Sequence, residues 1–273
     1  MPELPEVETI RRQLAQCLPG AEFLRVERLE PAMLEDCDEE ELKESLPGKR
    51  VEDVGRLGKF LIIGLEAGPC LTLHLGMTGQ LLLDEAPVDD HTRFVFLLRG
   101  SSGRPFSLRF RDTRKFGRVH LTWGGPAPRL ARLGPDAWLG DWDAPYLAGR
   151  LAGRKAPLKA VLLDQSVLAG LGNIYADEVL WWTGLSPLRP AGALSEAEVA
   201  SLSEEIRRRL GEGVRLLGCS FSDFVDTQGQ TGGFQDWLQA YGRKGEPCRR
   251  CGGTMTRVVV AGRGTTYCPD CQR

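Results

Sequence analysis

The chain has 273 residues, enough for two compact domains, and its 42% hydrophobic content excludes disordered and fibrous classes. No apolar run reaches the length that spans a bilayer, and the opening Met1-Pro-Glu-Leu-Pro-Glu6 lacks the basic and apolar regions of a secretory leader, so a cytoplasmic protein with no membrane partner is expected. The formal net charge of −2 would by itself disfavour a nucleic-acid partner, but the charges are distributed unevenly along the chain.

The first predicted element is a short helix over residues 5–14, because proline suits the start of a helix and Glu6 and Glu8 suit its first turn. Acidic residues concentrate over 35–44. Short segments rich in Val, Leu, Ile and Phe follow at 23–29, 60–65, 71–75, 80–83, 94–98, 106–110 and 119–122, separated by Gly, Pro or charged turns. That rhythm predicts an antiparallel β-sandwich. From Arg93 to Arg118 eight basic residues stand against Asp112 alone, a local net of +7, which predicts a basic face.

Residues 126–150 are rich in Gly, Pro, Asp and Trp and read as a linker. Helical apolar spacing returns at 157–164 and 174–182, and Ser195-Glu-Ala-Glu198 has the form of a capping box opening a helix that runs toward Leu217. The last segment, 241–273, carries seven basic and two acidic residues, a net of +5. It also holds Cys248, Cys251, Cys268 and Cys271 as two C-x-x-C pairs sixteen residues apart, a spacing suited to one tetrahedral zinc. All four positions are filled, so the expected cofactor is one structural Zn2+ with no place for a catalytic water. The other cysteines, Cys17, Cys37, Cys70 and Cys219, are dispersed and read as small packed residues rather than a disulfide framework. Two short strands, 257–260 and 265–267, are predicted around an Ala261-Gly-Arg-Gly264 turn.

The chain start has chemical potential of its own. If Met1 is removed, Pro2 presents a secondary amine able to attack an aldehyde-level carbon and form an iminium. The following helix end disfavours its protonated form, while Glu3 and Glu6 supply proton donors and acceptors. Taken alone, Pro2 reads first as the start of a frayed terminus, Lys59 as a solvated lysine at a strand end, and His74 as a satisfied, half-buried histidine between leucines.

The string Met1-Pro-Glu-Leu-Pro-Glu-Val-Glu-Thr9 closely resembles the start of bacterial formamidopyrimidine-DNA glycosylases. So do Leu57-Gly-Lys-Phe60, His74-Leu-Gly-Met-Thr-Gly79, Asp112-Thr-Arg-Lys-Phe-Gly117, Gly170-Leu-Gly-Asn-Ile-Tyr-Ala176 and Tyr241-Gly-Arg-Lys-Gly-Glu-Pro-Cys248. These segments run in order from end to end, so the resemblance spans essentially the whole chain.

The resemblance implies a multidomain α+β fold: an N-terminal helix and β-sandwich catalytic domain over 1–125, a linker over 126–150, a helix-two-turn-helix domain over 151–240 and a zinc finger over 241–273. It implies a bifunctional glycosylase/AP lyase that excises oxidised purines from double-stranded DNA, also accepts abasic sites, and acts as a monomer. In that pattern Pro2 is the nucleophile at the sugar C1′, Glu3 the acid/base that opens the sugar ring, and Lys59 a phosphate grip. His74 contacts the DNA backbone. Met77, Arg114 and Phe116 form the wedge that replaces an extruded base, a role suited to a thioether, a guanidinium and a flat ring, although the apolar pair would otherwise read as core. Lys115, Lys155, Asn173 and Arg263 are expected at phosphates, Asn173 where it opens a helix behind Gly170 and Gly172. The stretch 218–233 is expected to form a loop over the lesion base. Two rival readings are a sister enzyme preferring oxidised pyrimidines, against which Leu4, Val7 and the complete wedge speak, and a DNA-binding protein without turnover, against which Pro2, Glu3 and Lys59 speak.

Overall fold

The computed structural model describes residues 2–83, 88–221 and 223–273. It divides into two compact units, Met1–Ala131 with Leu216–Gly233, and Arg132–Arg215 with Phe234–Arg273.

The first unit opens with helix α1, Leu4–Cys17, which runs three residues past its expected end. Glu3 and Glu6 close a reciprocal capping box at its start, with the Glu3 N–H donating to Glu6 Oε2 at 2.7 Å. Leu4, Val7, Ile10 and Leu14 recur at helical spacing and are buried. Among the described residues a four-stranded sheet follows the order β1 (Glu22–Arg28), β7 (Thr92–Arg99), β8 (Pro105–Arg111), β6 (Gln80–Leu83). A five-stranded sheet follows the order β2 (Leu34–Glu35), β9 (Arg118–Trp123), β5 (Pro69–His74), β4 (Phe60–Leu65), β3 (Val51–Leu57). All pairings are antiparallel except the two-residue contact of β2 with β9. Helix α2, Glu39–Ser45, lies in the acidic segment and is capped by Asp38, which accepts from the Glu41 N–H at 2.8 Å.

The inner faces of both sheets and α1 share one apolar core that includes Phe23, Phe94, Phe96 and Phe110 from one sheet, Leu61, Leu71, Leu73 and Leu121 from the other, and Ile10 from the helix. Phe94 stacks against Phe96 at 5.9 Å and Phe110 at 6.1 Å. Truncating such a ring to alanine removes about 3–5 kcal/mol.

Residues 216–233 return to this unit as a segment laid along α1. The Cys219 N–H donates to Glu6 Oε1 at 2.7 Å, and Gln13 donates to Asp226 Oδ2 at 2.7 Å and accepts from the Thr227 N–H at 3.0 Å. The Leu83 N–H, at the end of β6, donates to the Thr227 carbonyl at 2.8 Å.

The second unit holds helices α3 (Ala144–Leu151), α4 (Leu158–Leu162), α5 (Asn173–Thr183) and α6 (Glu196–Arg215) and a hairpin of β10 (Thr256–Val260) and β11 (Arg263–Tyr267). The capping box of α6 is present, Ser195 N–H to Glu198 Oε2 at 2.7 Å and Glu198 N–H to Ser195 Oγ at 3.3 Å. Residues 126–150, read from sequence as a linker, differ from that reading. Asp143 caps α3 by accepting from the Tyr146 N–H at 2.8 Å, and Arg207 of α6 stacks on Trp142 at 4.2 Å while donating to the Trp138 carbonyl at 2.7 Å. The segment folds against α6 through tryptophans and one arginine, contacts that leave no periodic apolar pattern. No described helix is long and apolar enough to cross a membrane.

Candidate functional site

The head of α1 collects Pro2, Glu3 and Glu6, all buried, with both carboxylates only 1% exposed. The Glu6 carboxylate bridges two backbone N–H groups, those of Glu3 and Cys219, and thereby ties the 216–233 segment to the helix start. Met1 lies outside the described residues.

Lys59 sits in the two-residue turn of the β3–β4 hairpin, where Leu57 pairs with Phe60 and Gly58 takes a φ of 56° that favours glycine. It is 8% exposed, so it is not the solvated lysine that its strand-end position suggests. Arg56 fixes this turn to α1, donating to the Gly58 carbonyl at 2.9 Å and to Glu8 Oε2 at 3.0 Å. Burial acts to raise the Glu8 carboxyl, and Arg11, Arg56 and Arg12 outweigh it, holding the group below the usual carboxylate range. Nothing in the sequence points to a Glu8–Arg56 pair, since the 48 positions separating them hide it.

Phe60 pairs in register with His74, and their rings lie 4.6 Å apart. His74 Nδ1 accepts from the Gly76 N–H at 3.2 Å, which assigns the ring hydrogen to Nε2 and leaves that atom a donor. Burial first, then the charges of Lys59 and Arg129, lower the His74 pKa to about 4. The imidazole is therefore neutral near pH 7.

The three expected wedge residues are brought together by two loops locked to one another. Asp112, fully buried, accepts from Thr78 Oγ1 at 2.5 Å, the Arg114 N–H at 3.1 Å and the Gly117 N–H at 2.8 Å. Gly76, at φ 63°, passes so close that a Cβ there would meet the Phe116 carbonyl carbon at 2.5 Å. On this frame Arg114 lies 4.6 Å from the Phe116 ring centroid and 3.6 Å from Met77 Sδ. Phe116 is 47% exposed and Met77 is half-buried, so neither belongs to the core. Lys115, at φ 55°, turns outward and pairs with Glu30 at 2.5 Å. In the sequence Asp112 is only one letter of a motif, and its burial marks it as the hub of both loops.

In the second unit Asn173 opens α5 behind Gly172, and its Nδ2 donates to the Gly264 carbonyl at 3.0 Å. Gly264 follows Arg263 on the hairpin, whose Ala261-Gly262 turn has φ values of 50° and 71°, the type I′ pattern. Asn173 is thus tied to the residue next to the exposed Arg263. Lys155 is exposed in the turn before α4, while Lys159, four residues on, is fully buried. Lys159 Nζ lies 2.5 Å from Asp177 Oδ1 and 2.9 Å from Thr265 Oγ1, and Asp177 Oδ2 accepts from the Thr266 N–H at 2.9 Å. Sequence reasoning misses this buried pair. Burial raises the Asp177 carboxyl, opposed by the Lys159 ammonium.

The four Sγ atoms of Cys248, Cys251, Cys268 and Cys271 lie within 4.8 Å of one another. Sulfurs sharing one tetrahedral zinc at about 2.3 Å sit roughly 3.8 Å apart, so the group fits, and the Cys251–Cys268 and Cys248–Cys271 separations of 3.4 and 3.7 Å are far beyond a disulfide bond. Burial acts to raise the Cys248 pKa, and N–H donors from Arg250, Cys251 and the Trp181 indole outweigh it and bring it below the ordinary thiol range, whereas burial and then the neighbouring sulfurs raise Cys268 and Cys271. These residues form a closed structural zinc site.

Comparison with known proteins agrees along the length of the chain. Residues 1–119 match the model of the formamidopyrimidine-DNA glycosylase N-terminal domain, residues 133–225 that of the formamidopyrimidine-DNA glycosylase H2TH domain, and residues 245–273 that of the zinc finger found in FPG and IleRS. A formamidopyrimidine-DNA glycosylase of Moorella thermoacetica is 46% identical over 263 residues, with 94% of each chain covered. The crystal structure of a Lactococcus lactis FPG mutant with DNA containing Fapy-dG superposes with a TM-score of 0.90 at 34% identity and complete coverage of both chains. The MutM (FPG) protein of Thermus thermophilus superposes at 0.87, with 42% identity and 99% and 98% coverage. From head to zinc finger, the chain belongs to the formamidopyrimidine-DNA glycosylase family.

Proposed function

We propose that this protein is a bifunctional DNA glycosylase and AP lyase of base excision repair that removes oxidised purines through its Pro2 amine. The observation that carries this reading is the buried head of α1, where the proline precedes two carboxylates that are almost wholly shielded from water. Once Met1 is removed, Pro2 N attacks C1′ of the damaged nucleoside, the C1′–N bond breaks, and the base leaves with a proton. Glu3 delivers a proton to the ring oxygen, and the opened sugar is held as an iminium. Loss of a C2′ proton expels the 3′ phosphate, a second elimination expels the 5′ phosphate, and water frees Pro2 from the residual sugar, leaving a one-nucleoside gap.

An enzyme working on a stacked base must extrude it and fill the space. Met77 and Phe116 are the fill, and Arg114 pairs with the orphaned partner base. Lys59, His74 through neutral Nε2–H, and Lys115 hold phosphates from the first unit, as do Lys155, Asn173 and Arg263 from the second. The zinc finger supplies structure for the hairpin that carries Arg263. The working place is the cytoplasm, at the nucleoid, as a monomer.

A duplex with one 8-oxoguanine opposite cytosine, incubated with the protein and borohydride, gives a covalent adduct under this reading, and an oxidised-pyrimidine duplex gives less. Pro2→Gly loses most cutting and the adduct while keeping lesion binding. Full cutting by that variant, or by protein that retains Met1, rules out the nucleophile.

A further inference from the structure

Helix α5 is joined to the zinc module and to the residues leading into it at three successive places. Asp177 receives the Thr266 N–H at 2.9 Å, and Glu178 receives the N–H groups of Gln239, Ala240 and Tyr241 at 2.8, 2.8 and 2.9 Å. One turn further, Trp181 directs its indole Nε1–H at Cys248 Sγ, 3.4 Å away. An indole N–H can only donate, and when buried it needs an acceptor. Trp181 is 5% exposed and Cys248 3%, and the ring packs in a cluster made of Cys248, Cys268, Cys271, Met255 and Ala240. The ring is clamped: the Arg250 guanidinium lies 4.4 Å from its centroid and donates to the Trp181 carbonyl at 2.5 Å, and the Trp182 ring meets it edge-on at 5.2 Å.

We propose that Trp181 is a positioning residue of the zinc centre, its indole N–H bonded to Cys248 Sγ so that metal retention depends on a side chain of α5, the helix that begins at Asn173. The bond and the packing around it hold Cys248 Sγ in the place where the four sulfurs converge. Partners of this kind contribute about 10–100-fold to metal affinity. Phenylalanine would fill the same space beside Arg250 without the donor, which separates the hydrogen bond from packing.

The test uses the full-length zinc protein. Trp181→Phe and, as the aromatic control, Trp182→Phe are challenged with a chromogenic zinc chelator, and released metal is followed by absorbance. Trp181→Phe is expected to bind zinc at least about tenfold more weakly than wild type, with Trp182→Phe close to wild type. Equal retention in Trp181→Phe and wild type overturns the proposal. Should Trp181→Phe fail to fold, the wild-type chain loaded with cadmium-113 decides. A correlation between the Trp181 indole proton and the metal nucleus, transmitted through Sγ, supports the bond, and its absence with a rapidly exchanging indole proton refutes it.

Discussion

Replacing Lys159 with methionine tests how firmly the hairpin bearing Arg263 is held. Lys159 and Asp177 are 0% and 1% exposed, and the ammonium contacts Asp177, Thr265 Oγ1 at 2.9 Å and, more weakly, the Gly264 carbonyl at 3.4 Å. Removing one partner of a buried ion pair costs about 3–5 kcal/mol, because the other charge is left in a poorly solvating interior. Here Asp177 can escape by taking up a proton, since burial already pushes its carboxyl up to about 7 with the ammonium present. That places the expected loss near the lower figure, about 3 kcal/mol, or roughly 10 °C in the melting of the second unit. Calorimetry of the zinc-loaded variant reads this directly. Adding Asp177→Leu should restore part of the loss, because an apolar pair of similar volume avoids desolvation, though the Thr266 N–H then loses its acceptor. A Lys159→Met protein melting within about 2 °C of wild type would refute the reasoning.

Three further perturbations have defined outcomes. His74 has a folded pKa of about 4 against an ordinary 6.5, so its contribution is fully present above pH 6.5 and is lost as the pH falls toward 4; between pH 7 and 5 the stability of wild type by denaturant titration should fall by about 2 kcal/mol relative to that of His74→Gln, a difference from which Asp177, titrating in the same window with the opposite sign, drops out. Gly76→Ala forces a left-handed alanine, costing about 1–2 kcal/mol, and pushes the Phe116 backbone away; single-turnover cutting of an 8-oxoguanine duplex should fall by about 100-fold while far-ultraviolet circular dichroism is unchanged. Stripping zinc with a chelator should release the four-cysteine module and weaken duplex binding at least about tenfold by fluorescence anisotropy, and unaltered binding by metal-free protein would remove the finger from DNA recognition.

The elements legible in sequence are those whose signals are local. Short runs of Val, Leu, Ile and Phe between turn residues mark seven of the first unit's strands, Ser195 and Glu198 announce α6 three residues apart, and four cysteines announce their own metal. Strand β3 escapes because Val-Glu-Asp-Val-Gly-Arg-Leu, at a sheet edge beside α1, carries polar residues where alternation would require apolar ones. Lys155 reads as a DNA contact while Lys159 passes unremarked, since nothing near Lys159 shows that its partners are Asp177 and Thr265, 18 and 106 residues on. Wedge and zinc residues come out of short motifs, whereas the Arg56–Glu8 pair behind the Lys59 turn, the Thr78–Asp112 bond between the wedge loops and the Trp181–Cys248 contact act across distances that only folding closes.

The return of Leu216–Gly233 to the first unit bears on how the protein is made. Glu6 and Gln13 emerge from the ribosome long before Cys219, Asp226 and Thr227, so the nascent β-sandwich waits through synthesis of α3 to α6 with these acceptors and donors still facing water. The head of α1 reaches its final form only after most of the polypeptide exists, and a chain that stalls before residue 219 presents the Pro2 end without the backbone N–H that secures Glu6.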